Sequence, residues 1–130
     1  MKHILQRRRT DCGVASLAMI LGISYNKALN ALFPNKKKNT TYDVNLVRFI
    51  VALKKLNVKF DIKDVRIKAL DKCNIANFKY PSIVAISQFG LGHAVIWTGS
   101  EILDPLSKTS YDLDYYQSRL LWILPLKDLK

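Results

Sequence analysis

A chain of 130 residues is long enough to bury one hydrophobic core and too short for two, which predicts a single domain over residues 1–130. Apolar residues make up 49% of it, yet the longest mostly apolar stretch, Gly13 to Ile23, falls far short of the roughly 20 residues of a bilayer-spanning helix, so no transmembrane segment is expected. The excess of 21 Lys and Arg over 10 Asp and Glu gives a net charge of +11, a field that attracts acidic peptides, nucleic acid or anionic surfaces.

Met1-Lys2-His3-Ile4-Leu5 leaves no room for the apolar core and cleavage site of a signal peptide before the first motif, so a cytoplasmic location is expected. That motif is Gln6-Arg7-Arg8-Arg9-Thr10-Asp11-Cys12. Asp11 is a good N-cap, which puts Cys12 at the first helical position. Cys12 to Leu21 is apolar around most of its circumference, the pattern of a buried central helix closed by Gly22. Ser24 or Asn26 can cap a short second helix through Leu29 and Leu32, stopped by Pro34. Lys36-Lys37-Lys38, flanked by Pro34, Asn35 and Asn39, reads as a solvated loop. Thr40-Thr41-Tyr42-Asp43 leads into a third helix from Val44 to Leu56, where Leu46, Val47, Ile50, Leu53 and Lys54 share one face. Val58 to Lys63 alternates with period two and predicts an edge strand, and Ala69 to Asn77 predicts a turn or short helix.

From Tyr80 onward the pattern is mainly β. Ser82 to Ser87 and His93 to Thr98 are short, apolar and β-branched, and Gln88-Phe89-Gly90-Leu91-Gly92 is expected to join them as a flexible loop. Thr98-Gly99-Ser100 makes the next turn. A two-residue tip at either Thr98-Gly99 or Gly99-Ser100 puts His93 and Asp104 on one sheet face, opposite in the first register and diagonal in the second. Asp112 can cap a last helix over Leu113 to Ser118, and a strand follows from Leu120 to Leu126. Trp97 and Trp122 read as core or sheet-face packing. The fold class is α+β: an N-terminal helical layer, with Cys12 on its central helix, packed against a C-terminal antiparallel sheet carrying His93 and Asp104.

A helix start lowers a thiol pKa by aiming unpaired N–H groups at the sulfur, which makes Cys12 a candidate nucleophile. His93 is the candidate base, because the other histidine, His3, falls in an end expected to fray. Asp104 can hold the imidazole, and the amide of Gln6 can stabilise an oxyanion. Arg7, Arg8 and Arg9 lie between Gln6 and Cys12, at a cleft rim where they would favour acidic residues in a substrate. A zinc site from Cys12, His93 and Asp104 lacks the close ligand pairs of structural zinc motifs, so neither metal nor other cofactor is expected. Only Cys12 and Cys73 are present, and a disulfide between them would consume the nucleophile, so both are expected as thiols, with Cys73 a bland structural or surface residue.

The Gln-x-x-x-x-x-Cys spacing, the run Asp11-Cys12-Gly13-Val14-Ala15-Ser16-Leu17-Ala18-Met19-Ile20, the strand Pro81 to Ile86, the His93 strand and Asp104-Pro105 resemble, in order, the bacteriocin-processing peptidase family. In that family a papain-like domain, often fused to the N-terminus of an ABC exporter, cleaves leader peptides after a double-glycine motif. The resemblance implies a papain-like cysteine peptidase fold, with Cys12 as nucleophile, His93 as general base, Asp104 as orienting acid and Gln6 as oxyanion donor. No membrane or nucleotide-binding domain accompanies these residues, so the resemblance is to the peptidase domain alone. The expected activity is peptide-bond cleavage through a thioester, on a peptide or protein substrate. The alternatives are isopeptide cleavage or acyl transfer at the same thiol, or a basic module that binds nucleic acid or an acidic protein. A pure binder has no need for Gln, Cys, His and Asp together. The oligomeric state is not encoded in these patterns.

Overall fold

The computed structural model describes residues 1–8, 10–35 and 45–129. Arg9, the Lys36 to Lys38 run and the Thr40 to Val44 approach to the third helix lie outside the described residues.

Among the described residues, four helices, α1 (Cys12–Leu21), α2 (Tyr25–Leu32), α3 (Leu46–Lys55) and α4 (Leu113–Ser118), accompany five strands, β1 (Arg66–Ile67), β2 (Ser82–Gln88), β3 (Leu91–Trp97), β4 (Ile102–Leu103) and β5 (Leu120–Pro125). Local chemistry sets most boundaries. Ser24, Asn45 and Asp112 each accept a backbone N–H from the first turn of the helix they precede, and Gly22 ends α1 in the left-handed region. The sheet is antiparallel throughout, in the order β1-β5-β2-β3-β4. This is the expected α+β class.

Both faces of the sheet are covered, because β2 and β3 alternate between two apolar sets. Ile83, Ala94 and Ile96 pack with α1, α2 and α3, whereas Val84, Ile86, Val95 and Trp97 pack with Ile75 and with Tyr116 of α4. The tie between α1 and the sheet is polar as well as apolar. Ser16, fully buried, donates to the Ala94 carbonyl at 3.1 Å, and one turn earlier the Ala94 N–H donates to the Cys12 sulfur at 3.4 Å.

Four expectations are corrected. Val58 to Lys63 is not a strand: Val58 and Phe60 turn inward, but among the described residues no strand pairs with the segment, and Asp61 caps a 3₁₀ turn at Ile62–Asp64 instead. The edge strands are β1, paired with β5, and β4, paired with β3. In α3 the buried stripe is Phe49, Ala52 and Leu53, with Val47 66% exposed, because the helix is rotated to bury the Phe49 ring edge-on to Trp122. The segment after β2 is not a flexible loop; β2 and β3 continue through Gln88 and Leu91 and close in two residues, Phe89 (φ 52°) and Gly90 (φ 77°). Finally, the N-terminus does not fray at His3, whose ring bonds the Asp104 carbonyl at 2.7 Å, while the Gln6 N–H donates to the Pro105 carbonyl at 2.7 Å.

Candidate active site

Cys12 is the first residue of α1, where backbone N–H groups lack intrahelical acceptors. Its sulfur lies against β3, in reach of the Ala94 N–H. His93 is nearly buried, and its Nε2 meets Asp104 Oδ1 at 2.8 Å. The turn that makes this possible has the second of the two registers: Thr98 N–H donates to the Glu101 carbonyl, Trp97 pairs with Ile102, and His93 and Asp104 become diagonal neighbours just beyond the end of β4.

Asp104 is 2% exposed, and its carboxylate is held by three donors. Oδ1 accepts from His93 and from the Leu106 N–H at 2.9 Å, and Oδ2 accepts from the Tyr116 hydroxyl at 2.8 Å. Burial alone would raise the Asp104 pKa, but these donors, His93 foremost, hold it below the ordinary carboxylate value. With Nε2 donating to Asp104, the other ring nitrogen is left for Cys12. Burial favours the neutral ring, yet the Asp104 hydrogen bond and then the Cys12 sulfur outweigh it and lift His93 from 6.5 to about 9. The arrangement can therefore hold an imidazolium at neutral pH in the groove that Cys12 lines, and can pass a proton between sulfur, ring and leaving group.

Two hollows of about 360 and 460 Å³ meet at Cys12, Leu91, Gly92 and His93. Leu121, Trp122 and Asn45 line one, and Gln6, Gln88, Phe89 and Leu106 line the other. Ser87 donates its N–H to Arg119 on the β5 side, so the Ser87–Gly92 pair is a non-hydrogen-bonded one and Gly92 turns its N–H and C=O away from β2, toward the groove.

A model of the peptidase C39 family matches residues 1–110. The chain belongs to that family. It is a cysteine-type peptidase domain of the bacteriocin-processing kind, and so a hydrolase, as the sequence resemblance implied. No curated protein matches the chain. In this peptidase Cys12 and His93 line one groove, His93 bonds Asp104, and Gln6 stands on the wall of the same groove, with an amide N–H donated to the Arg8 carbonyl at 2.6 Å. The arginines are distributed differently. Arg7 stacks over the Tyr25 ring at 4.0 Å and lines a separate hollow with His3 and Met19, and neither Arg7 nor Arg8 lines the groove at Cys12.

Several contributing residues escape a sequence reading. Asp11 precedes α1 as expected, but its side chain makes no cap; it turns back to accept the N–H groups of Arg7 (2.9 Å) and Arg8 (2.8 Å) and the Tyr25 hydroxyl (2.6 Å), fixing the loop that joins Gln6 to Cys12. Burial and then Asp11 push the Tyr25 hydroxyl above its ordinary pKa, so it stays a donor. Ser16 carries a weak signal, a polar residue four positions after Cys12 in an otherwise apolar helix. Tyr116, beyond the residues that the family model matches, has none.

Proposed function

We propose that this domain cleaves an extended peptide through a thioester on Cys12. The single observation that carries the reading is that Cys12, at the start of α1, shares one groove with His93, whose ring is bonded to the buried Asp104 carboxylate. The thiolate attacks the scissile carbonyl carbon, and the oxyanion forms beside the Gln6 amide and the N–H groups at the start of α1. The C–N bond breaks as the His93 imidazolium gives its proton to the departing amine. His93, now neutral, takes a proton from water, the hydroxide attacks the thioester, and Cys12 is released with a free carboxylate product. Asp104 orients the ring and stabilises its charge at each stage. The Gly92 backbone offers an extended substrate one donor and one acceptor beside the sulfur.

On the same reading, the net charge of +11 favours peptides with Asp or Glu near the scissile bond. Isopeptide cleavage and acyl transfer share the thioester and differ only in the amine that leaves or attacks.

Incubation with a diverse peptide mixture, read by mass spectrometry, tests the proposal. It predicts new termini and, on acid quenching, an acyl adduct on Cys12, both absent from Cys12→Ala. Cleavage that survives Cys12→Ala would overturn it, and products joined to an added amine would favour acyl transfer.

A further inference from the structure

Tyr116 is fully buried on the face of the sheet opposite α1, α2 and α3, and nothing in the peptidase chemistry above uses it. Its oxygen accepts the Tyr111 N–H at 3.2 Å and lies 2.8 Å from Asp104 Oδ2. Because the backbone N–H occupies an acceptor site on the phenol oxygen, the phenol proton points at the carboxylate. The polarity of this contact is thereby fixed: Tyr116 donates. Among the described contacts it is also the sole donor to Oδ2, since His93 and Leu106 both donate to Oδ1.

A carboxylate with both donors on one oxygen would be free to pivot, and its second oxygen would be a buried charged acceptor without a partner. The Tyr116 bond closes that freedom and sets the plane in which Oδ1 meets His93. The hydroxyl is itself held, by Tyr111 from behind and by edge-on packing of the Tyr115 ring, 5.3 Å between centroids. The helix that carries it lies outside the residues that the family model matches.

We propose that Tyr116 is a positioning residue of this peptidase, acting through Asp104 to keep His93 aligned with Cys12. The proposal rests on the reading of Cys12, His93 and Asp104 as the thiol site. The groups that face Asp104 are His93 from β3, Tyr116 from α4 and the ring of His3, which bonds its main-chain carbonyl.

The test needs no substrate. The rate of alkylation of Cys12 by iodoacetamide is followed against pH, with adducts mapped by mass spectrometry, in the wild type, in Tyr116→Phe and with 3,5-difluorotyrosine at position 116. Tyr116→Phe keeps the buried ring and removes only the hydroxyl. It should slow Cys12 alkylation at pH 6 by about tenfold, the scale of losing one hydrogen bond to a charged group, and move the acid limb to higher pH. Difluorotyrosine, which keeps a hydroxyl donor of nearly the same shape, should hold that limb near its wild-type position. In an Asp104→Asn background, Tyr116→Phe should add no further slowing. An acid limb unchanged in Tyr116→Phe would overturn the proposal even where thermal stability falls, as would additive slowing with Asp104→Asn. If Cys12 is not the reactive thiol of the wild type, the thiol-site reading fails and the proposal with it. A reactive Cys12 that is indifferent to position 116 sinks the proposal alone.

Discussion

At the scale of single residues, His93 ties stability to pH through the same contacts that place it in the site. Its pKa rises on folding from 6.5 to about 9, so the native state holds this proton more tightly than the unfolded chain does. The contribution is fully present below about 6.5, shrinks between 6.5 and 9, and is gone above that. Asp104 has the opposite sign: its pKa falls on folding, so its contribution is present above the ordinary carboxylate value and is lost as acid protonates it. Tm should therefore decline in acid and again from about pH 6.5 to 9, and His93→Ala should remove the alkaline decline. An alkaline slope that persists in His93→Ala would place the proton elsewhere. On the proposed mechanism, in which His93 moves the proton and Asp104 orients it, His93→Ala should cost about 10²–10⁴ in rate, more than Asp104→Asn. Gln6→Ala should lower kcat by about 10² with KM little changed. The pairing of His93 with Asp104 is legible in sequence because either two-residue tip at Gly99 brings the two onto one sheet face. Tyr116 and the Asp11–Tyr25 bond are not legible, since a tyrosine in a short helix and an aspartate before a helix have ordinary structural uses.

At the scale of elements, the helix ends were readable and the side-chain environments between them less so. Ser24 and Asp112 cap where their chemistry suggests, and α1 and α4 have the expected bounds. The face of α3 turned on the bulk of Phe49, which a periodicity count weighs no more than Val47. The β2–β3 hairpin was missed because Phe89 breaks the Asn-Gly pattern that marks a turn with two positive φ angles. That residue is 88% exposed, so no packing compensates its left-handed backbone, and it stands over the groove at Cys12. Phe89→Asn should stabilise the fold by about 1 kcal/mol and raise Tm by about 4 °C, while weakening peptide capture through KM with kcat nearly unchanged. Differential scanning calorimetry and steady-state kinetics on the same preparation check both halves. Gly99 works the other way. It sits at φ 106°, and an added Cβ would lie 2.9 Å from the Lys79 carbonyl oxygen, so Gly99→Ala should destabilise by about 1–3 kcal/mol and loosen the turn that delivers Asp104.

At the scale of the whole molecule, the fold divides the chemistry between two layers. The α1 helix brings the sulfur, and β3 and the residues after β4 bring the imidazole and carboxylate, so the site exists only when the layers dock. A net charge of +11 surrounds that junction, and its effect should be a general field: kcat/KM for acidic peptides should exceed that for neutral ones at low salt, the difference narrowing as salt rises, with Arg7→Gln changing little because its guanidinium is engaged with Tyr25. Among the described residues no single helix is long and apolar enough to cross a membrane. The most direct test of the account compares the two thiols. Cys73 is held above its ordinary pKa by burial, whereas Cys12 stands at a helix start with a backbone N–H on its sulfur and shares its groove with His93. Brief iodoacetamide treatment at pH 6 should label Cys12 well ahead of Cys73, and that preference should disappear in His93→Ala. Equal labelling of the two cysteines in the wild type, or preference for Cys73, would contradict the account.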